Sequence, residues 1–156
     1  MKKNYLILIA LAAVCLFTTH TSAQCTQYDP NSVYSDLQGK LPCDSTCGVP
    51  TVTSFELWSN EAYPLGSLKA GNEYDFTLGP PSGAGWNPTM TVAAWNGTNA
   101  GAVVGYVDGR NLSITIPSDG EYIFILTVTG SCDGATSNGI STVSYTHLTL
   151  PTIYPV

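Results

Sequence analysis

The chain has 156 residues and a formal net charge of −6, with 5 Lys and Arg against 11 Asp and Glu. All 11 acidic residues but only Lys40, Lys69 and Arg110 follow position 23, so the remainder of the chain carries a charge of −8. This acidity argues against nucleic acid and anionic membrane as partners, because both require basic patches.

The first 23 residues have the organisation of a secretory signal peptide. Lys2 and Lys3 form the positive region, and Tyr5–Phe17 is an apolar run too short to span a bilayer. Thr21–Ala23 supplies the small residues of a cleavage site. We therefore expect a mature chain that begins near Gln24, is secreted or held at the cell surface, and has no membrane span.

Residues 24–50 are polar, lack a sustained period and contain three of the four cysteines that remain after cleavage, which are Cys25, Cys43, Cys47 and Cys132. An even number of cysteines in an exported chain predicts two disulfides that pin an irregular N-terminal segment. Three connectivities are open, and pairing Cys47 with Cys132 closes the longest loop of the favoured set. A structural zinc site is the alternative, but Cys43 and Cys47 have no second close Cys or His pair.

Residues 51–142 alternate between apolar and polar side chains in short runs separated by Gly, Pro, Asn and Asp. This pattern predicts an all-β domain, an antiparallel β-sandwich of jelly-roll or Greek-key type with about seven or eight strands. The clearest runs are Glu73–Leu78, Asn111–Ile116 and Tyr122–Thr129, and the weaker ones are Val52–Trp58, Met90–Trp95 and Ala102–Val107. The run from Tyr122 is apolar on both faces, which predicts a central strand.

Turn residues support this division of the chain. Asn96-Gly97 and Asp108-Gly109 both tolerate the positive φ angles of tight turns, and the second pair predicts a hairpin. Tyr122 follows Ser118-Asp119-Gly120-Glu121, an arrangement similar to the tyrosine corner of Greek-key sandwiches. A plain core aromatic is the alternative for Tyr122.

Residues 143–156 look foreign to the domain. The stretch from Val143 to Thr152 resembles translated sequencing-adapter read-through, so we expect a non-native tail and a natural protein that continues beyond Thr142. An ordinary last strand is the alternative, because Thr, Val and Tyr favour strands.

Three segments together resemble a known family: Leu68–Phe76, Trp86–Val92 and Leu112–Phe124. Their layout is similar to the pre-peptidase C-terminal-like (PPC-like) β-sandwich, a module of large proteins exported by the type IX secretion system. The resemblance covers roughly residues 25–142. It implies a non-catalytic appendage that assists secretion, adhesion or substrate contact. Calcium sites occur in some members, but no complete ligand set can be matched here.

Histidine is absent between positions 24 and 142, so a Ser-His-Asp or Cys-His nucleophile pair cannot be built there. A carboxylate pair could hydrolyse glycosides, and the candidates are Glu56, Glu61, Glu73 and Asp75. Glu73 and Asp75 share one face of a strand, and the alternation makes that face the solvated one.

Trp58, Trp86 and Trp95 are the candidate ligand-binding residues, because flat aromatic rings on a sheet can stack on sugars. The alternative is that each caps the core or is covered by the N-terminal segment. Asp29, Asn31 and Asp36 could give oxygens to Ca²⁺, although their spacing matches no standard loop.

The sequence therefore favours a protein that is not an enzyme, with no catalytic residues and no required cofactor. The leading hypothesis is a secreted or surface module that serves adhesion or an accessory role in a longer protein, with an extracellular glycan or surface protein as its partner. A carbohydrate-binding module that uses the exposed tryptophans is the second hypothesis, and a fragment of a secreted hydrolase is the third.

Overall fold

The computed structural model describes residues 25–37, 51–53, 57–79, 85–134 and 143–148. The predicted signal peptide, Cys43, Cys47 and Glu56 lie outside these ranges. Within them the chain forms one 3-10 helix, Ser35–Leu37, followed by eight strands. The strands are β1 (Thr51–Thr53), β2 (Glu61–Leu68), β3 (Glu73–Leu78), β4 (Pro88–Trp95), β5 (Ala100–Asp108), β6 (Asn111–Thr115), β7 (Gly120–Val128) and β8 (Val143–Leu148).

The strands form two four-stranded antiparallel sheets. Sheet I has the order β1-β8-β3-β6 and sheet II the order β2-β7-β4-β5. This order, in which consecutive strands fall in different sheets except for the β4–β5 pair, is that of the eight-stranded jelly roll. The predicted all-β sandwich is therefore confirmed.

The interior lies between the two sheets and follows from the alternation in their strands. Tyr74, Phe76 and Leu78 of β3 are buried while the residues between them are partly or fully exposed. From sheet II, Phe124 meets Phe76 with ring centroids 5.4 Å apart in a stacked arrangement. Offset stacking of this kind adds to the hydrophobic gain from burial. β3 thus has one wetter face, as strands of antiparallel sheets commonly do.

Sheet II is different, because its central strand β7 is buried on both faces as the sequence predicts. Tyr122, Phe124 and Leu126 belong to the main core. Ile123 and Ile125 point the other way and form an outer cluster with Ala62 and Ala93. This outer cluster, on the face turned away from sheet I, requires cover of its own.

Part of the cover comes from residues 25–37, which we call the N-terminal strap. Tyr28 and Val33 pack on the outer cluster. Backbone hydrogen bonds join the strap to the start of β2, from the Tyr34 N–H to the Ala62 carbonyl (2.9 Å) and from the Ala62 N–H to the Ser32 carbonyl (3.0 Å). Leu37, at the end of the strap, is fully buried in the main core. The strap therefore wraps around the β2 edge of sheet II.

A disulfide between Cys25 and Cys132 holds the start of the strap, with Cα atoms 5.2 Å apart. The expectation that Cys132 pairs with Cys47 is therefore wrong. The strap runs parallel to the start of β2, and Cys25 therefore lies before that start, beside the turn that follows β7. The same bond rules out a zinc site built from all four cysteines.

Asp108-Gly109 does not form the predicted hairpin. The strands on either side belong to different sheets, since β5 pairs with β4 and β6 pairs with β3. The turn is held on both sides, by a hydrogen bond from the Gly109 N–H to the Pro88 carbonyl (2.7 Å) and one from the Leu78 N–H to the Arg110 carbonyl (2.8 Å). The Asp108-Gly109 turn therefore carries the chain from sheet II to sheet I. Its glycine supplies the permissive backbone that a tight hairpin would also have required.

Tyr122 forms the predicted tyrosine corner. Its hydroxyl donates to the Ser118 carbonyl at 2.6 Å, and its side chain is buried in the main core. The alternative of a plain core aromatic does not account for this hydrogen bond. Residues 143–148, placed in the foreign tail by the sequence, form β8 between β1 and β3. The adapter-like origin of these residues stays a prediction, because a run rich in Thr, Val and Tyr forms a strand whatever its source.

The disulfide pairing generates the first prediction. With Cys25 bonded to Cys132, Cys43 and Cys47 are the remaining pair, so mass spectrometry of the unreduced mature chain should find no free thiol. Replacing Cys25 and Cys132 by Ala together should lower the free energy of unfolding by about 4 to 5 kcal/mol, since the bond closes a loop of 107 residues. A double variant as stable as the parent in urea denaturation would contradict this.

The second prediction concerns a close approach between the two sheets at Gly105. A Cβ added to Gly105 of β5 would lie 2.5 Å from a methyl carbon of Ile114 on β6. Gly105→Ala should therefore destabilise the fold by about 1 to 3 kcal/mol through overpacking. Gly101→Ala on the same strand is the control, because its nearest contacts are an ordinary 3.6 Å. Equal melting temperatures for the two variants would count against the close approach.

The third prediction concerns threonines on the outer face of sheet II. The hydroxyls of Thr91 and Thr127 are buried without a hydrogen-bond partner among the described residues. Thr89 is also buried, but its hydroxyl bonds to Asp108 (2.6 Å) and Thr129 (3.1 Å). Thr91→Val should raise the free energy of unfolding by about 1 kcal/mol, whereas Thr89→Val should lower it by about 1 kcal/mol. Urea denaturation of both variants tests the contrast, and a loss of stability in Thr91→Val would show that its hydroxyl is bonded.

Candidate binding cleft

The three tryptophans do not form one platform. Trp86 is partly buried against the main core, whereas Trp95 is partly buried in the outer cluster, on the other face of sheet II. Trp58 precedes β2, and its side chain is also partly buried. Trp95 faces outward as its phase on β4 predicts, but Tyr28 of the strap packs on it with ring centroids 6.3 Å apart. A ligand therefore cannot stack on all three rings at once.

Two of the described candidate carboxylates, Glu61 and Asp75, form hydrogen bonds within local structure. Glu61 on sheet II accepts hydrogen bonds from the Trp58 N–H (2.8 Å) and from the Tyr63 hydroxyl, which fixes the entry into β2. Asp75 on sheet I accepts one from Ser113 of the neighbouring strand. Glu73 and Asp75 lie on the wetter face of β3, as the alternation predicts. Glu61 and the β3 pair thus belong to different sheets.

The calcium candidates also have a local explanation where the structure describes them. A side-chain oxygen of Asp29 accepts from the backbone N–H (2.9 Å) and the side-chain amide (3.1 Å) of Asn31, which closes a tight turn in the strap. Within the described ranges, no group of three or more His, Cys, Asp and Glu side chains could hold a metal ion. Metal binding by this chain stays an untested hypothesis.

A cleft of about 270 Å³ lies where the strap meets the turn between β4 and β5. The strap contributes Thr26, Gln27, Tyr28 and Pro30. The turn contributes Thr98, Asn99 and Ala100. Sequence reasoning missed this site, because its walls come from two segments about 70 residues apart. The available signal was the aromatic Tyr28 among the polar residues at the start of the strap.

Tyr28 joins the two walls of the cleft. Its hydroxyl donates to the Thr98 carbonyl at 3.2 Å, and its ring packs against Trp95. Partial burial raises the pKa of Tyr28, and a hydrogen bond with the Ala100 backbone acts in the opposite direction. The phenol is therefore neutral at physiological pH and serves as a fixed, uncharged part of the wall.

The turn that forms the second wall is pre-organised. A side-chain oxygen of Asn96 accepts from the backbone N–H groups of Thr98 (2.9 Å) and Asn99 (2.7 Å), and Gly97 adopts a φ of +91°. This is the Asn-Gly turn that the sequence predicts.

The strand that follows the turn, β5, carries two bulges that each place an extra residue on β5. One lies where the register with β4 shifts between Val92 and Ala93, and the other where it shifts between Ala93 and Trp95. Bulges bend a strand and increase its twist. The cleft therefore opens at the bulged end of β5.

Comparison with known proteins gives a likeness of fold. No family model matches the chain, and no curated protein matches it. Among solved structures, one similar protein is PliG of Aeromonas hydrophila, a periplasmic lysozyme inhibitor of g-type lysozyme. It matches with a TM-score of 0.50 and 16% identity over 75% of this chain and 96% of that chain. No helix among the described residues is long and apolar enough to cross a membrane. At this identity the likeness to PliG shows a shared β-rich fold and leaves the activity of this chain open.

Proposed function

We propose that this chain is a non-catalytic exported β-sandwich module that acts by binding a partner outside the cytoplasm. The signal-peptide pattern of residues 1–23 and the PPC-like layout of residues 68–124 support export and an accessory or adhesive role. The fold shared with a periplasmic protein agrees with such a destination.

The observation that carries the proposal is the use of carboxylates in the described structure. Hydrolysis by two carboxylates needs a pair that flanks one bond, with environments that drive their pKa values apart. Here Glu61 and Asp75 lie in different sheets, and each is bonded to hydroxyl or backbone donors next to it. Asp119 holds the β2–β3 turn through Lys69 (2.7 Å) and the Ala70 N–H (2.9 Å). The hydrogen bonds of these three acids stabilise strands and turns.

The partner class supported by the comparison is a protein. PliG, which shares the fold, is described as an inhibitor of g-type lysozyme. A sandwich with fixed loops can present a rigid surface to another protein, because a rigid interface loses little conformational entropy on binding. A g-type lysozyme is therefore the first protein probe for this chain.

The fourth prediction is the absence of hydrolytic activity in the folded mature chain. Incubation with polysaccharide and peptidoglycan substrates should release no more reducing ends than the Glu73→Gln and Glu61→Gln variants do, because Glu61 is bonded at the start of β2 and Glu73 lies in the other sheet. Turnover by the parent chain that disappears in Glu73→Gln would overturn the non-catalytic assignment. Glu121→Gln is the matched control, since Glu121 bonds to Ser67 across the β2–β7 pair.

The same preparation tests a protein partner. Titration into a g-type lysozyme should show saturable binding by calorimetry, or a loss of lysozyme activity, if this chain shares its partner class with PliG. Without heat or inhibition, lysozyme is removed as a partner. The hydrolysis assay then decides separately whether the module is catalytic.

A further inference from the structure

We propose that the cleft between the N-terminal strap and the β4–β5 turn is a binding site for a neutral saccharide. The site is distinct from a platform of three tryptophans, because Trp86 lies on the other face of sheet II. The inference goes beyond the proposed function, since it assigns a ligand class to one named place on the molecule.

The first argument is size and rigidity. A volume of about 270 Å³ is just below the usual range for small-molecule sites, which is about 300 to 1,000 Å³, and suits a ligand with the size of one sugar ring. Both walls are fixed before a ligand arrives. The strap is tied down by the disulfide at Cys25 and by its bonds to Asn60 and Ala62, and the turn is tied down by Asn96. A pre-organised site loses little entropy on binding.

The second argument is the chemistry of the lining. Thr26 and Thr98 carry hydroxyls, which both donate and accept hydrogen bonds, and Gln27 and Asn99 carry carboxamides that do the same with separate atoms. Tyr28 and Pro30 add apolar surface between these polar groups. A pyranose ring has this mixed character, with hydroxyls around its rim and C–H groups on its faces. The lining therefore complements a sugar better than a purely apolar ligand.

The third argument is charge. None of the seven residues that line the cleft carries a charged side chain. An anionic ligand that entered would lose water without gaining an ion pair from these seven residues, which is costly. An anion would also meet the negative field of a chain that carries −8 after position 23. Neutral saccharides avoid both costs.

Trp95 gives the site a built-in reporter. Its ring contacts Tyr28, which lines the cleft, so a bound ligand that shifts Tyr28 changes the surroundings of the Trp95 indole. Trp86 lies against the main core on the opposite face and should not respond. A spectrum in which the Trp95 indole signal shifts and the Trp86 indole signal does not would therefore place the ligand at the cleft.

The fifth prediction is tested by NMR titration of the mature chain. The probes are cellotetraose, mannotetraose and chitotetraose, with their methyl monosaccharides to separate recognition of one ring from recognition of a chain. Trigalacturonate is the charged counterpart. We expect at least one neutral probe to shift the amide signals of Thr98 and Asn99 and the indole signal of Trp95, with the Trp86 indole unchanged. Gln27→Ala should weaken binding by about 3- to 10-fold, which corresponds to one hydrogen bond.

The control variant is Thr115→Ala, which removes an exposed hydroxyl from β6 in the other sheet and should leave affinity unchanged. Gln27 is itself exposed, so melting temperatures of both variants should equal that of the parent. Three results would overturn the proposal: no neutral probe shifts the cleft signals at about 10 mM, Gln27→Ala binds as tightly as the parent, or trigalacturonate binds as tightly as the neutral probes. None of them bears on whether the module is catalytic, which the hydrolysis assay decides.

Discussion

Burial of β7 on both of its faces is the constraint on which much of this structure depends. A strand with Phe124 toward one side and Ile123 and Ile125 toward the other must be covered twice. The main core supplies the first cover when the two sheets close. The second cover must come from outside the sandwich, because sheet II already uses its inner face. The N-terminal strap contributes to it, and its packing follows from the apolar character of both faces of sheet II.

The two edge strands of sheet II, β2 and β5, are also protected. A free strand edge offers unpaired backbone groups to other chains, and proteins limit that hazard by covering or distorting the edge. At β2 the strap covers the edge through Val33, which bridges to Ala62. At β5 the two bulges distort the edge, and Gly105 allows the strand to approach Ile114 of sheet I. The cleft lies between the strap and the β4–β5 turn, next to the bulged end of β5.

The local parts of the fold could be predicted from the sequence, and the long-range parts could not. Alternation in β3 and β6 is visible within a few residues because side chains on a strand point to opposite faces in turn, and the continuous apolar run of β7 is equally local. The Tyr122 corner is equally local, since its partner Ser118 is four residues away. Asp108-Gly109 marks a turn correctly, but whether the next strand pairs with the last one or crosses to the other sheet depends on the rest of the chain. The Cys25–Cys132 bond is a similar case. The entropy of loop closure can rank alternative disulfides only if the fold brings each pair of cysteines together, and the sequence does not show which pairs meet.

The same distinction applies to the candidate site. Sequence reasoning selected tryptophans and acids one by one, because residue type was the available evidence. In the structure the Trp95 ring packs against Tyr28, which lines the cleft. Asn96 shapes the β4–β5 turn by accepting backbone hydrogen bonds and does not line the cleft itself. The residues that could touch a ligand are ordinary Thr, Gln and Asn side chains whose value comes from their position. Because Glu61, Asp75 and Asp119 are bonded into turns and strand pairs, recognition by fixed neutral groups is the chemistry that we propose for this end of the sandwich.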